Sequence, residues 1–319
     1  AQFSWQKHDR GMEIKFNKVS ISNADLAGNF FGSYQLLPQS PGLIDLTVHL
    51  TRAAVRHTAR YIPLVALNSE AHNWIRNALI DGQSDDFNLR LKGNLKDFPF
   101  DGNRNGLFQI RARATGVGVE YAKGWPRVEN AAAKLVIQGK RLEVTAPTAM
   151  TVGAALNDIS VVLPDIKNLG LPLQVRGESV GETKNGLNFI QESPVRGYID
   201  GLTDNITSGG NGNLNLQVDI PLRGSKPAIV SGRYHFIDNE VSLGKGVPIL
   251  HKVNGDLLFS ESSVRTQGVT MQVLGGPANL TVQSNKGSAV NAKVVGRANM
   301  DVLRDLEPHP LLNYLHGSS

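Results

Sequence analysis

The sequence predicts a mainly β protein, an elongated and twisted antiparallel sheet of repeated units with short helices between the units. Three observations carry this. Glycine fills 33 of 319 positions and only 19% of residues are charged, a balance that suits short strands joined by many turns. Apolar and polar residues alternate over most of the chain, the period of a strand with one buried face. The alternation itself recurs at a spacing near 122 residues, set out below.

Residues 11–50 alternate through Ile14, Phe16, Leu46, Val48 and Leu50 around a hairpin turn at Gly42 and read as the tail of a preceding unit. Thr51 to Arg60 is expected to be helical, with Arg52, Arg56 and Arg60 along one solvated face. Asn68 to Ile80 carries Trp74, Ile75, Ala78 and Leu79 at helical spacing, with Asn68 or Ser69 as N-cap and Gly82 as the stop. Strands follow at Phe87 to Leu91, Phe108 to Ala114, Val117 to Tyr121, Ala131 to Ile137, Ile159 to Leu163 and Leu171 to Val175. A second series runs through Leu214 to Ile220, Leu257 and Phe259, Val269 to Val273, Leu280 and Val282, and Ala292 and Val294. Turns are expected at Gly102-Asn103, Gly116, Gly139-Lys140, Asn185-Gly186, Asn254-Gly255 and 285–287, with Gly209 to Gly212 as a flexible linker.

Gly124-Trp125-Pro126 and Gly246-Val247-Pro248 lie 122 residues apart, and that offset also sets Leu135 on Leu257, Ile137 on Phe259 and Leu142 on Val264. It slips to 121 where Met150, Ile159 and Val161 meet Met271, Leu280 and Val282, to 119 at Val175 and Val294, and to 116 at Tyr198 and Tyr314. Such slips are loop insertions. Residues 1–60 then end one β-groove unit, 61–200 form a first full repeat, and 201–319 form a second that closes in a short helix. The pairs Trp74-Ile75, Tyr198-Ile199 and Tyr314-Leu315 are expected to pack against the sheet edge between units.

The polar inventory builds no active site, and no cofactor is expected. With no cysteine there is no disulfide, thiolate nucleophile or Cys-based metal centre. The eight histidines show no metal-ligand spacing, and Asp85-Asp86 reads as a turn before a strand. Gly177-Glu178-Ser179-Val180-Gly181 matches a nucleophile elbow, but that motif needs a helix after the serine, and 182–186 reads as a hairpin turn. A net charge of +5 comes from 33 basic and 28 acidic residues with no dense basic run, so nucleic acid is not an expected partner. No stretch approaches the ~20 apolar residues of a membrane span. The start at Ala1 lacks an initiator Met and a signal-peptide core, as expected of a processed chain or a piece of a longer one.

What remains is the apolar face of the sheet. Such a face is covered by a second sheet as in a sandwich, closed into a barrel, or presented to an apolar ligand. The helices are too few and short to cover it, and a linear repeat of Leu, Val and Ile favours a lipid-lined groove.

Arg60-Tyr61-Ile62-Pro63, Trp74-Ile75 before Gly82, Leu89 to Phe100 with its Asp97-Phe98-Pro99-Phe100, and Tyr121 to Pro126 together resemble the central region of the YhdP branch of the bacterial AsmA-like proteins. The resemblance implies a periplasmic protein, anchored in the inner membrane by an N-terminal helix. Its repeated β-units would form an open groove that carries phospholipid between inner and outer membrane without enzymatic chemistry. The partners implied are phospholipids, both membranes and neighbouring repeats of the same chain. The expected lipid-binding residues are Leu89, Leu91, Ile110, Ala112, Val119, Tyr121, Leu135, Ile137, Val161, Leu173, Val175, Leu216, Val218, Leu257, Phe259, Met271, Val273, Leu280, Val282 and Val294. The alternative is a structural or adhesin-like module sealed by sheet-on-sheet packing.

Overall fold

Sixteen strands hydrogen-bond in chain order into one antiparallel sheet, in a computed structural model that describes residues 2–8, 11–63, 67–100, 105–199, 201–223, 226–284, 291–299 and 302. The first ten strands are β1 (Gln2–His8), β2 (Gly11–Ser22), β3 (Leu26–Leu37), β4 (Ser40–Ala54), β5 (Leu79–Asn94), β6 (Gly106–Val119), β7 (Val128–Gln138), β8 (Arg141–Thr151), β9 (Ala154–Leu163) and β10 (Leu173–Glu182). The last six are β11 (Thr207–Ile220), β12 (Ile229–Ser242), β13 (Leu250–Ser260), β14 (Val264–Val273), β15 (Gly276–Ser284) and β16 (Asn291–Gly296). The sheet does not close: each strand pairs only with its neighbours in sequence, and no second sheet lies over it among the described residues. Among the described residues there is thus one sheet and not the two of a sandwich.

The helices interrupt the sheet at two joints. Between β4 and β5 stand a 3-10 segment at Val55–Tyr61 and α1 (Ser69–Ala78), which Asn68 caps by accepting a hydrogen bond from the Ala71 amide. Between β10 and β11 stand α2 (Thr183–Gln191) and the short α3 (Val195–Tyr198). Six strands follow each joint among the described residues.

The repeat is written into the backbone. β7 and β13 begin and end 122 residues apart. The same offset relates five pairs of residues with positive φ: Gly116 (62°) and Asp238 (50°), Gly124 (78°) and Gly246 (80°), Asn130 (53°) and Lys252 (50°), Val152 (46°) and Leu274 (52°), Gly153 (74°) and Gly275 (73°). The last two pairs are two-residue hairpin loops in which both residues have positive φ, the type I′ geometry that matches strand twist. A left-handed conformation is costly for a β-branched residue such as Val152, so its recurrence at Leu274 marks a geometry the fold imposes.

Several local expectations fail. Thr51 to Arg60 is not one helix: β4 pairs with β5 as far as Ala54 and Gln83, so only the 3-10 segment is helical. Arg52 therefore stands in a strand, where its guanidinium donates to the carbonyls of Ala24 and Asn23. Residues 183–186, read as a turn, open α2. Gly209 to Gly212 lie within β11, and Gly116 and Asn254-Gly255 are in-strand irregularities of β6 and β13. The β3–β4 turn is at 38–39, not at Gly42, and Asp85-Asp86 lie inside β5. Glycine and asparagine tolerate the left-handed conformation that a bulge needs as well as they serve turns, so composition alone misplaces them. Tyr198 is 76% exposed and does not pack on the sheet. The expected turns at 102–103 and 285–287 and the Tyr314-Leu315 pair lie outside the described residues.

Candidate functional site

Register decides which side chains share a face, because directly opposed residues of paired strands point the same way. One row of partners runs Leu50, Phe87, Ala112, Leu135, Val144, Val161, Val175, Val218, Val230 across β4 to β12. A second runs Val19, Phe30, Val48, Leu89, Ile110, Ile137, Leu142, Leu163 across β2 to β9. A third pairs Ser179, Leu214, Tyr234 and Leu257, and beside it Leu216, Gly232 and Phe259 align. An apolar stripe thus crosses successive strands at right angles to the chain.

The stripe is half-buried. Of the twenty expected residues only Met271 is fully buried and only Val294 is exposed, while the remainder are in between. Val294, at 49% exposure, faces Leu280 from the last described strand. Tyr121 corrects the reading of its segment: β6 ends at Val119, and Tyr121 lies in the loop beyond, where its carbonyl accepts from Trp74 Nε1 at 3.0 Å and its ring meets Trp125 at 6.1 Å. Burial there pushes the Tyr121 phenol up to about 12. Leu171 precedes β10.

Two dry clusters border the stripe, one per repeat. Val117, Ala131, Ala146 and Ala149 form the first, with Val55, Ala114, Val119 and Leu156 against it. Leu250, Val253, Val269, Met271 and Ala278 form the second, with Phe236, Val241, Val273 and Leu280 against it. Polar residues on this face spend their hydroxyls on the backbone: Ser179 donates to the Ala155 carbonyl at 2.8 Å, and Thr266 bridges the Leu280 carbonyl and the Val282 amide. Ser179 sits in mid-strand, paired on both sides, so the G-x-S-x-G match lacks the exposed turn a nucleophile needs even though a helix follows.

At the second joint a polar knot replaces apolar packing. Asn239 is fully buried, and its Oδ1 accepts from Thr183 and Ser208 while its Nδ2 donates to the carbonyls of Asn211 and Ile237. Tyr234 donates to Thr183 at 2.8 Å, and burial pushes its phenol pKa up. Tyr234 OH lies over Gly212, where a Cβ would come within 2.2 Å of it.

One rim of the first repeat is strapped. The loop after β5 lays Phe100, 3% exposed, over Gly93 and Gly106, where an added Cβ would approach its ring to 2.8 and 2.5 Å. Phe98 packs on Phe108 at 4.8 Å, and Lys167 from the β9–β10 loop both bonds the Phe98 carbonyl and stands 5.8 Å from its ring. The sequence names this Phe-Pro-Phe run without its role; Phe87 and Leu163, read there as strand positions only, and Val144, Tyr234 and Phe236 join the apolar face but stand outside the expected lipid-binding set. Alternation flagged the strands, but their partners follow from register, which bulges shift.

Among the described residues there is no cluster of metal ligands, and no helix is long and apolar enough to cross a membrane. What the fold and this face define is a repeat protein built as a single open sheet with one apolar, incompletely covered side.

The chain belongs to the YhdP family, whose model, described as "YhdP protein", matches residues 1–319. It is similar to the intermembrane phospholipid transporter YhdP of Escherichia coli (strain K12), with 19% identity over 293 residues that cover 90% of this chain. The chain spans 22% of that relative's length. No solved structure matches.

Proposed function

We propose that the chain is one stretch of a periplasmic phospholipid conduit. Acyl chains lie on the stripe that includes Leu135, Ile137, Val161, Val175 and Val218, and the headgroup stays at the wet rim. The observation that carries the reading is the row of apolar partners, half-buried except for the buried Leu50, that runs unbroken from β4 to β12. Apolar faces of this extent mark binding surfaces, and each CH₂ taken from water contributes ~0.8 kcal/mol. A row of equivalent contacts lets a chain slide without a deep trap at any one strand. The relative's name, intermembrane phospholipid transporter, supports phospholipid as cargo.

In this reading residues 61–200 and 201–319 are successive repeats and 1–60 ends another. The longer protein is anchored in the inner membrane and passes lipid between inner and outer membrane with no catalytic step. Mass spectrometry of an organic extract of the purified chain should find glycerophospholipid. Photo-crosslinkers at Ile137 and Phe259 should capture it, and those at the intervening Gln138 and Ser260 should not. Equal capture at both sets would sink the proposal.

A further inference from the structure

The two repeats differ at the rim opposite the helices. In the first, the Phe98-Pro99-Phe100 strap covers the end of the apolar face, pinned by Lys167. At the junction of β10 and β11 the stripe instead runs out to solvent. Ile220 follows Val218 on the same face and is the register partner of Leu173, yet it is 36% exposed. Leu222 just beyond it is 36% exposed, and Leu171, two residues before Leu173, is 39% exposed. Past these apolar residues stand Arg223 and Lys226, both exposed. Apolar residues continuous with the stripe, followed by two cations, match an amphiphile whose chains lie inward and whose phosphate lies outward.

Resting on the reading of the stripe as a lipid path, we propose that this rim is a lateral portal. A phospholipid enters and leaves here, its acyl chains passing Leu222 and Ile220 onto Val218 and Val175 while Arg223 and Lys226 hold its phosphate. The strap closes the corresponding rim of the first repeat, so of these two rims exchange takes the one at the junction.

The test uses the whole chain and vesicles of phosphatidylethanolamine and phosphatidylglycerol that carry a self-quenched, acyl-labelled phosphatidylglycerol. Dequenching gives the initial rate of loading and the final amount bound. Leu222→Asp, an exposed position whose folding is checked by circular dichroism, should slow loading several-fold and leave the final amount unchanged. Arg223→Glu with Lys226→Glu should slow loading of phosphatidylglycerol more than of labelled phosphatidylethanolamine. Loading of Leu222→Asp at the unmodified rate, while Ile137→Asp abolishes binding, would remove the portal and leave the lipid path standing. No loading by the unmodified chain would remove both. A dimer that Leu222→Asp dissolves would assign the patch to a second copy and overturn the portal.

Discussion

The two repeats share a backbone and differ in what fills it. Positions 122 apart share the same left-handed backbone conformations, yet Ala114 becomes Phe236, Ala131 becomes Val253, and Val117, buried among alanines, becomes Asn239 at the centre of a hydrogen-bonded knot. The offset of 122 holds through the β8–β9 hairpin, so Met271 answers Ala149 and not the expected Met150, and the Ala149–Leu156 cross-strand pair becomes Met271–Ala278, large and small exchanged. The backbone kinks are thus what the repeat preserves, while the volume inside each unit is balanced locally. The first joint supplies Val55 to its cluster, whereas the second supplies Thr183 to its knot, which explains why one is dry and the other polar.

The comparison is tested hardest where the repeats agree, on the stripe. Ile137→Asp and Phe259→Asp each place a carboxylate where the proposed lipid path lays an acyl chain, costing several kcal/mol in a dry site or drawing water into it. Both variants should fold, and both should abolish lipid delivery when placed in the full-length protein. Delivery by either folded variant would break the continuity between repeats.

Converting the second repeat's centre to the first's should be the next largest effect. Asn239→Val leaves the carbonyls of Asn211 and Ile237 without their bonds from Nδ2 and strands the hydroxyl proton of Thr183, while Ser208 keeps its bond to the Gly209 carbonyl. Buried polar groups left unpaired cost ~1–3 kcal/mol each, so a total loss of about 3 kcal/mol in a denaturant melt is expected. An unchanged melt would show the knot to be dispensable.

The exchanged pair gives a smaller effect and a sharper one. Ala149→Met alone overfills the first cluster, costing ~1–3 kcal/mol. Adding Leu156→Ala restores the arrangement seen at Met271 and Ala278 and should recover most of the loss, which a double-mutant cycle reads directly. Additive losses would refute local volume compensation.

Much of this was legible in the sequence. Alternation of Leu135 and Ile137, Leu257 and Phe259 marks strands, and their shared offset marks the repeat. The sequence also pointed to α1, because Asn68 caps in the usual way. It could not distinguish a glycine in a bulge from one in a turn, so Gly116, Gly210 and Gly255 were misplaced: all three have positive φ inside strands. Nor could it reveal register, on which depends whether Val144 and Val230 join the stripe. Asn239 was invisible for a different reason: its role needs Thr183, Ser208 and Tyr234 from three other places in the chain or strand.

The smallest expected effect concerns the outer face, where the repeats carry opposite charge. In the second, Asp256 faces His235 and bonds Arg233 at 2.7 Å, and the Arg233 hydrogen bond, against some desolvation, holds its carboxyl below the usual 3.8. In the first, the equivalent residue is Lys134, opposite Arg113, and Asp86 answers Arg113 at 3.3 Å from the other side. A carboxyl whose folded pKa is depressed adds stability that is fully present above its unfolded pKa. That stability fades as pH falls from 3.8 through the folded value. Asp256→Asn should therefore lower Tm slightly at pH 7 and make no difference once the pH is below the folded pKa, whereas Arg233→Gln should raise the Asp256 pKa in a carboxyl-carbon NMR titration. Exposed pairs of this kind contribute little, because Arg233 remains largely in water. A Tm difference between the unmodified chain and Asp256→Asn that stays constant from pH 7 to acid would show that Asp256 acts through packing, and the charge contrast between repeats would then be incidental to stability.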